Sequence, residues 1–352
     1  MEPDNTYQPR LSAAITWLRF PLIFFIIMLH CYSVVRIEGT GSTYFSTLYP
    51  FTLWLGETGV PGFFFISGYL FFLSKKSYAQ KLKSRFHTLL IPYLLWNGLL
   101  LALYLAAYAA GYPQDINHHN MAGFTATDYF RLFWDRGSFD GGNCVPLLCP
   151  FWYIRNLIIM CILSPLFFYI LKYGREVFLI LVAGWWMLTF NNAFIPQTIL
   201  FFCLGAYFLI CDINPLEAAT RFKYVLLTLF SLCAISDIAM HAGWSTPINL
   251  QVHRMALILN IPALLLLADH CVGKGLSTKL LPNAAFIVFA VHYPVVVVLR
   301  KVCAAKFATA SDETHILLYF ACVIVSTAVS LCFYIILDKY LPNIKNILSG
   351  NR

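Results

Sequence analysis

The sequence predicts an all-α, polytopic membrane protein with about ten transmembrane helices and both termini in the cytoplasm. Three observations predict it. Of 352 residues, 60% are hydrophobic and 11% charged, with a mean hydropathy of +0.71; soluble domains carry about 25% charged residues. The apolar residues form long continuous runs, whereas a membrane barrel would show alternating segments of about ten residues. Lysine and arginine gather in short clusters between the runs, which is how membrane orientation is written. No polar stretch is long enough for a separate soluble domain, so one membrane domain is expected over residues 1–352.

The first run, residues 11–35, is long enough to span. The opening decapeptide has neither the basic stretch nor the small-residue cleavage site of a removable signal, so this helix is expected to stay. It carries Arg19 and His30. Eleven residues are about three helical turns, so both side chains share a face, roughly 16 Å apart along the axis. Ionisable side chains at this depth are costly unless paired or hydrated, which makes them functional candidates. Snorkelling of Arg19 and simple packing of His30 would also account for them.

The second run, 51–73, contains Gly56, Gly59 and Gly62, which thin one helix face for close approach. Its Ser67-Gly68 pair lies outside any nucleophile-elbow pattern and reads better as packing. Glu57, near one end, could meet Arg155 or orient His30. Next comes a basic segment with Lys75, Lys76, Lys81, Lys83 and Arg85. Such cations could hold the phosphates of a ligand, or serve as topology signal and anionic-lipid contact. The third run is 88–110.

Residues 111–150 form the longest connection. They mix Asp115, His118, His119, Asp128, Asp135, Arg136 and Asp140 with Phe124, Tyr129, Phe130, Trp134 and Phe139. Aromatic faces and carboxylates suit carbohydrate, and equally suit a cover over helix ends. Cys144 and Cys149 share this loop and could bridge in an oxidising compartment. The other nine of the eleven cysteines are mostly scattered singly through apolar runs, as small hydrophobes.

The remaining runs are 151–171, 177–190, 196–211, 222–240, 250–268, 282–300 and 314–337. Trp152, Arg155 and Asn156 open the fourth. Asp237 ends the seventh, His253, Arg254 and Asn260 lie in the eighth, and His292-Tyr293-Pro294 in the ninth. With ten spans, fifteen Lys/Arg fall on one side and six on the other. The positive-inside rule makes the richer side cytoplasmic, with both termini there and the 111–150 loop outside. The net charge of +8 is thus topology, and no nucleic-acid partner is expected. The cysteine and histidine spacings suggest no metal site.

Read in order, five motifs carry a resemblance: LRFPLIFFIIMLH, GVPGFFFISGYL, the basic stretch ending RFHTLLIPYLLW, then FWYIRNLIIMCILSPL, and FAVHYP. Together they resemble the acyltransferase 3 family, membrane enzymes that O-acylate extracytoplasmic saccharides, over about residues 11–337. The first fits the family's Arg-x10-His pattern at Arg19 and His30. One departure is His87, which stands near where family members often show a second arginine. The form expected is the integral-membrane-only one, in a bacterial inner membrane.

The resemblance implies a cytoplasmic acyl-CoA donor, most often acetyl-CoA, with no permanently bound cofactor. It implies a saccharide acceptor outside the membrane or lipid-linked. His30 would act as general base or transient acyl carrier, and Arg19 would orient the donor. Lys81, Lys83 and Arg85 would hold donor phosphates. Glu57, Ser67, Trp152, Arg155 and His292 are the candidate substrate contacts. The residues alone also allow a multi-pass exporter of a saccharide or small solute, since polar midplane groups and proline-interrupted spans suit transport. No internal repeat in the hydropathy supports that alternative.

Overall fold

The structure is a computed structural model that describes residues 7–32, 48–112, 114–116, 119–135, 145–190, 194–240, 247–307 and 310–351. The expected Cys144–Cys149 bridge, and the loop residues His118, Arg136, Phe139 and Asp140, lie outside the described residues.

The helices are α1 (Tyr7–Cys31), α2 (Tyr49–Glu57), α3 (Gly59–Leu73), α4 (Tyr78–Arg85), α5 (Ile91–Ala109), α6 (Ala126–Arg131), α7 (Trp152–Ile162) and α8 (Ser164–Leu188). They continue with α9 (Phe194–Ile210), α10 (Pro215–Arg221), α11 (Lys223–Ala239), α12 (Pro247–Gly273), α13 (Leu280–Lys306), α14 (Asp312–Tyr340) and α15 (Pro342–Ser349). The described strands, β1 (Asp115–Ile116) and β2 (His119–Asn120), form one small antiparallel hairpin.

In their described residues, all ten apolar runs fall mainly on helices. Two are divided: 51–73 at Thr58, and 151–171 at Leu163, where Pro165 takes an early position in α8. The expected boundary near 172–176 coincides with Arg175, whose φ of 43° is non-helical. Among the described residues, five helical stretches are long and apolar enough to cross a membrane: α1, α4 through α5, α12, α13 and α14. The number rises to seven if two interrupted pairs, Cys149–Ile162 with Ser164–Leu188 and Phe194–Ile210 with Pro215–Arg221, are single spans. The chain is an all-α multi-pass membrane protein.

Two compact units divide the chain, Met1–Lys75 with Pro165–Cys332, and Lys76–Ser164 with Phe333–Arg352. In the first, α1 is the central helix. Leu11, Ala14, Ile15, Leu18, Leu22, Ile26 and Ile27 are buried, and α1 packs against α2, α3, α12 and α13. Glycines set the closeness. A Cβ on Gly56 would collide with Leu29, one on Gly59 with Ile26 and the Leu22 carbonyl, and one on Gly62 with Leu22. The Gly68 backbone lies against the Phe202 carbonyl, and that of Gly205 against the Phe65 carbonyl. So α3 and α9 meet backbone to backbone, as small residues permit in membranes.

In the second unit, Ile116, Met121, Leu132 and Leu147 form a small core under the 111–150 connection, covered by Phe124 and Tyr129 and by Leu100, Leu101 and Tyr104 of α5. Asn97 of α5 holds this cover by accepting from the Leu148 N–H at 2.9 Å. The C-terminal α15 docks beside α5, its Leu348 carbonyl accepting from Trp96 Nε1 at 3.0 Å.

Candidate active site

Helix α1 places Arg19 and His30 on one face, as the eleven-residue spacing requires, and both are half-buried. At the His30 end, α13 supplies the facing side chains. The His30 ring lies 5.4 Å from that of His292, tilted, and 5.1 Å from that of Tyr293, edge to face. Two sequence-predicted residues separated by most of the chain therefore meet. Fixed ring contacts of this kind restrict the imidazole to a narrow range of orientations.

His292 is fully buried, with Nδ1 3.3 Å from the Val288 carbonyl. With Nδ1–H donating there, Nε2 carries the lone pair, and it has no hydrogen-bond partner among the described residues. Pro294, two residues on, removes a backbone donor from α13, so this turn departs from a regular ladder. Of the two histidines, only the half-buried His30 has surface to offer a reactant.

Glu57, at the last turn of α2, is placed with His253 of α12. The sequence alone left it able to meet Arg155 or orient His30. Its Oε2 lies 3.2 Å from His253 Nε2, and His253 Nδ1 lies 2.7 Å from Oδ2 of Asp237 on α11. The neighbouring Arg254 turns the other way. Its guanidinium donates to the Trp186 carbonyl and, at 2.7 Å, to the Thr189 carbonyl, capping the C-terminal end of α8 where orphan carbonyls and the helix dipole favour a cation. Asn260 ties α12 to Thr58 at the α2–α3 junction, at 2.5 Å. Ser67 is half-buried on α3, one residue before the Gly68 contact.

In the second unit, α4 begins with a capping box. Ser77 Oγ accepts from the Gln80 N–H, and Gln80 Oε1 accepts from the Ser77 N–H. It presents exposed Lys83 between half-buried Lys81 and Arg85. A π-helical turn, Phe86–Leu90, follows directly; such turns are frequent at functional sites. The Tyr78 hydroxyl donates to the Ile162 carbonyl at 2.6 Å, fixing α4 to the end of α7.

Arg155 of α7 is buried. Its Nη1 donates to the Trp134 carbonyl at 2.5 Å, and Nε and Nη2 donate to Asn156 Oδ1 at 3.2 and 3.0 Å. Its guanidinium also lies 5.0 Å from the Trp134 ring. This arginine pins the connecting segment to α7. Trp152 is half-buried in the first turn of α7. Of the loop aromatics that suit either carbohydrate or a cover over helix ends, Phe124 and Tyr129 pack inward, while Phe130 and Trp134 stay exposed.

An acyltransferase domain model, that of acyltransferase 3, matches residues 12–335. The chain belongs to the acyltransferase 3 family. Among curated proteins, the succinoglycan biosynthesis protein ExoH of Rhizobium meliloti (strain 1021) is 25% identical over 365 aligned residues, covering 97% of this chain and 93% of that protein. No solved structure matches.

The acyltransferase 3 match takes in both compact units and includes Arg19, His30, Lys81, Lys83, Arg85 and His292. Sequence reasoning named Glu57, Asp237 and His253 separately and missed that they form one hydrogen-bonded chain. A signal was present. An aspartate at the end of one apolar run and a histidine near the start of the next are brought level by a short connection.

Proposed function

We propose that this protein transfers an acyl group, acetyl first among candidates, from cytoplasmic acyl-CoA to a hydroxyl of an extracytoplasmic or lipid-linked saccharide. The setting proposed is a bacterial inner membrane, crossed about ten times with both termini inside. The carrying observation is the His30 ring lying against His292 and Tyr293 of α13, on the helix that also bears Arg19, in a chain of the acyltransferase 3 family. The name of the ExoH relative, a succinoglycan biosynthesis protein, supports an exopolysaccharide acceptor.

In this reading His30 is the general base. An imidazole suits the role because it exchanges a proton near neutral pH. The acceptor hydroxyl gives its proton to His30 as its oxygen attacks the thioester carbonyl. The tetrahedral intermediate collapses with loss of the C–S bond, and the CoA thiolate takes the proton from the imidazolium. Neutral His30, an O-acyl ester and free CoA result. Arg19 orients the pantetheine arm or the carbonyl. Lys81, Lys83 and Arg85 of α4 bind the donor's phosphates, which charge-assisted donors favour. His292 positions the His30 ring, and Ser67 and Trp152 contact substrate. The partners found for Arg155 support a structural role for it, holding the connecting segment to α7.

The test is thioester loss from labelled acetyl-CoA by the purified protein in nanodiscs, with envelope saccharides, wild type beside His30→Ala. Label ending on sugar only with wild type is the expected result. Near-normal transfer by His30→Ala would overturn the assignment of the base. Solute movement across vesicles with no covalent product would replace acyl transfer by export.

A further inference from the structure

Helices α1 and α12 are each long and apolar enough to cross a membrane. Between the start of α1 and the end of α12 lies a cavity of about 490 Å³, lined by Arg10, Asp269, His270, Val272, Gly273 and Lys274. Two neighbouring spans leave the hydrocarbon there, at the depth of lipid headgroups. The walls are fixed. Arg10 Nε and Nη2 donate to Asp269 Oδ1 and Oδ2 at 2.9 and 2.5 Å. After α12 the chain turns at Gly275, whose φ is 75°. The Gly275 and Leu276 N–H groups donate to the Val272 and Cys271 carbonyls at 2.9 and 3.0 Å, the bonding of a glycine cap. The Leu276 carbonyl accepts from Trp17 Nε1 at 2.6 Å. Trp17 is seven residues beyond Arg10, about two turns, so both stand on one side of α1.

The charge left over is positive. Both oxygens of Asp269 are taken by Arg10, and the carbonyls of His270, Cys271 and Val272 are taken by the turn. Lys274 adds a second cation, and its ammonium makes no hydrogen bond among the described residues. A Cβ on Gly273 would meet nothing within 4 Å, which leaves that wall open. Cations at a membrane surface attract phosphate, and a tryptophan beside them suits the same interface. Two sources of phosphate are at hand, an anionic lipid and the CoA of the proposed donor. Arg10 and Arg19 are nine residues apart, about two and a half turns, so they project from opposite sides of α1. The cavity therefore lies away from the Arg19–His30 face proposed for the donor, and the lipid fits it better.

We infer that this cavity binds the phosphate of an anionic membrane lipid, with Arg10 and Lys274 as its cations, His270 beside them, and Asp269 holding the Arg10 guanidinium in place. The site goes beyond the acyl-transfer reading, and lipid binding is measured without turnover.

The test uses the full chain, stripped of lipid in a neutral detergent and titrated with phosphatidylglycerol or phosphatidylcholine of matched acyl chains. Retained lipid is counted by native mass spectrometry. Phosphatidylglycerol should bind wild type about tenfold more tightly than phosphatidylcholine. Lys274→Gln should weaken it about fivefold, the usual worth of one cation at a membrane surface, and Lys274→Arg should restore it. Lys306→Gln makes the same charge change at an exposed position at the far end of α13, and should leave binding unchanged. Saturating acetyl-CoA should displace none of the lipid. Equal retention of the two lipids by wild type overturns the site without recourse to any variant. A preference that survives Lys274→Gln overturns it as well, and so does an equal loss in Lys306→Gln, which would reduce the effect to net charge. Displacement by acetyl-CoA would give the cavity to the donor's phosphates and overturn the lipid assignment. A thermal melt of each lipid-free variant, expected to match wild type, separates lost binding from lost folding.

Discussion

Two kinds of buried nitrogen group share this protein, and they are treated in opposite ways. Arg155 and Arg254 are buried cations whose donors end on backbone carbonyls or an asparagine of the same chain. His30 and His292 face one another's rings, and His292 keeps a nitrogen that no described residue engages. A buried polar group left unsatisfied costs about 1–3 kcal/mol, so folding alone gives no reason to keep it. The arginines hold the chain together; of the histidines, His292 is fully buried against the His30 ring, and His30 alone keeps exposed surface.

Breaking the contrast at His30 should give the largest effect. His30→Ala should lower acyl transfer by about 10²–10⁴, the range for loss of a general base, with the melting temperature near that of wild type. Turnover in nanodiscs and a thermal melt of the same sample check both halves. Arg254→Met and Arg155→Met should behave in the reverse sense. Each strands acceptors, two carbonyls for Arg254 and a carbonyl and the Asn156 amide oxygen for Arg155, and should cost about 1–3 kcal/mol of stability, while activity per folded molecule changes little. Denaturation in mixed micelles, scored beside turnover, checks this.

His292→Leu sharpens the contrast further. It removes the unengaged nitrogen and frees the His30 ring, so the melting temperature should rise while the rate falls about tenfold, the trade expected of a functional group kept at the expense of stability. A variant losing stability and keeping its rate would show that His292 is only packing. The smallest effect is expected at the cap of α6. Hydrogen bonds from the Thr125 hydroxyl and N–H, with Arg131 nearby, hold the Asp128 carboxylate below its usual range. A depressed acid stabilises above its unfolded value of about 3.9 and loses that contribution as pH falls through the folded one. The protection of the amides at residues 128–131, measured relative to their intrinsic exchange at each pH, should therefore fall below about pH 4 in wild type, and Asp128→Asn should lose that acid dependence.

Much of the architecture was legible because bilayer physics writes in long words. Each apolar run fell mainly on helix in its described residues, and the glycines at 56, 59 and 62 proved to be a close-packing face against α1. The break at Leu163 was misread, although Pro165 marked it, because the apolar composition runs on without a change. Of the candidate site, Arg19 and His30 could be aligned by helical period alone. The meeting of His30 with His292, and of Glu57 with His253, could not. Period fixes a residue's face on its own helix, whereas which helix lies opposite is set by packing across distant segments. The loop aromatics Phe124 and Tyr129 show the same limit, since composition cannot say whether a ring turns to solvent or to a small core.

The backbone contacts of Gly68 with Phe202 and of Gly205 with Phe65 have a consequence for biogenesis. These glycines are 137 positions apart (205 minus 68), and a ribosome adding ~5–20 residues per second needs roughly 7–27 s to cover that distance. For that interval α3 sits in the bilayer with its permanent neighbour unmade. Its glycine face must be covered meanwhile by lipid, by an insertase or by α1, which emerges first. A substitution at Gly205 would therefore be felt twice, once in the finished protein and once as an α3 helix that waits for a partner unable to dock.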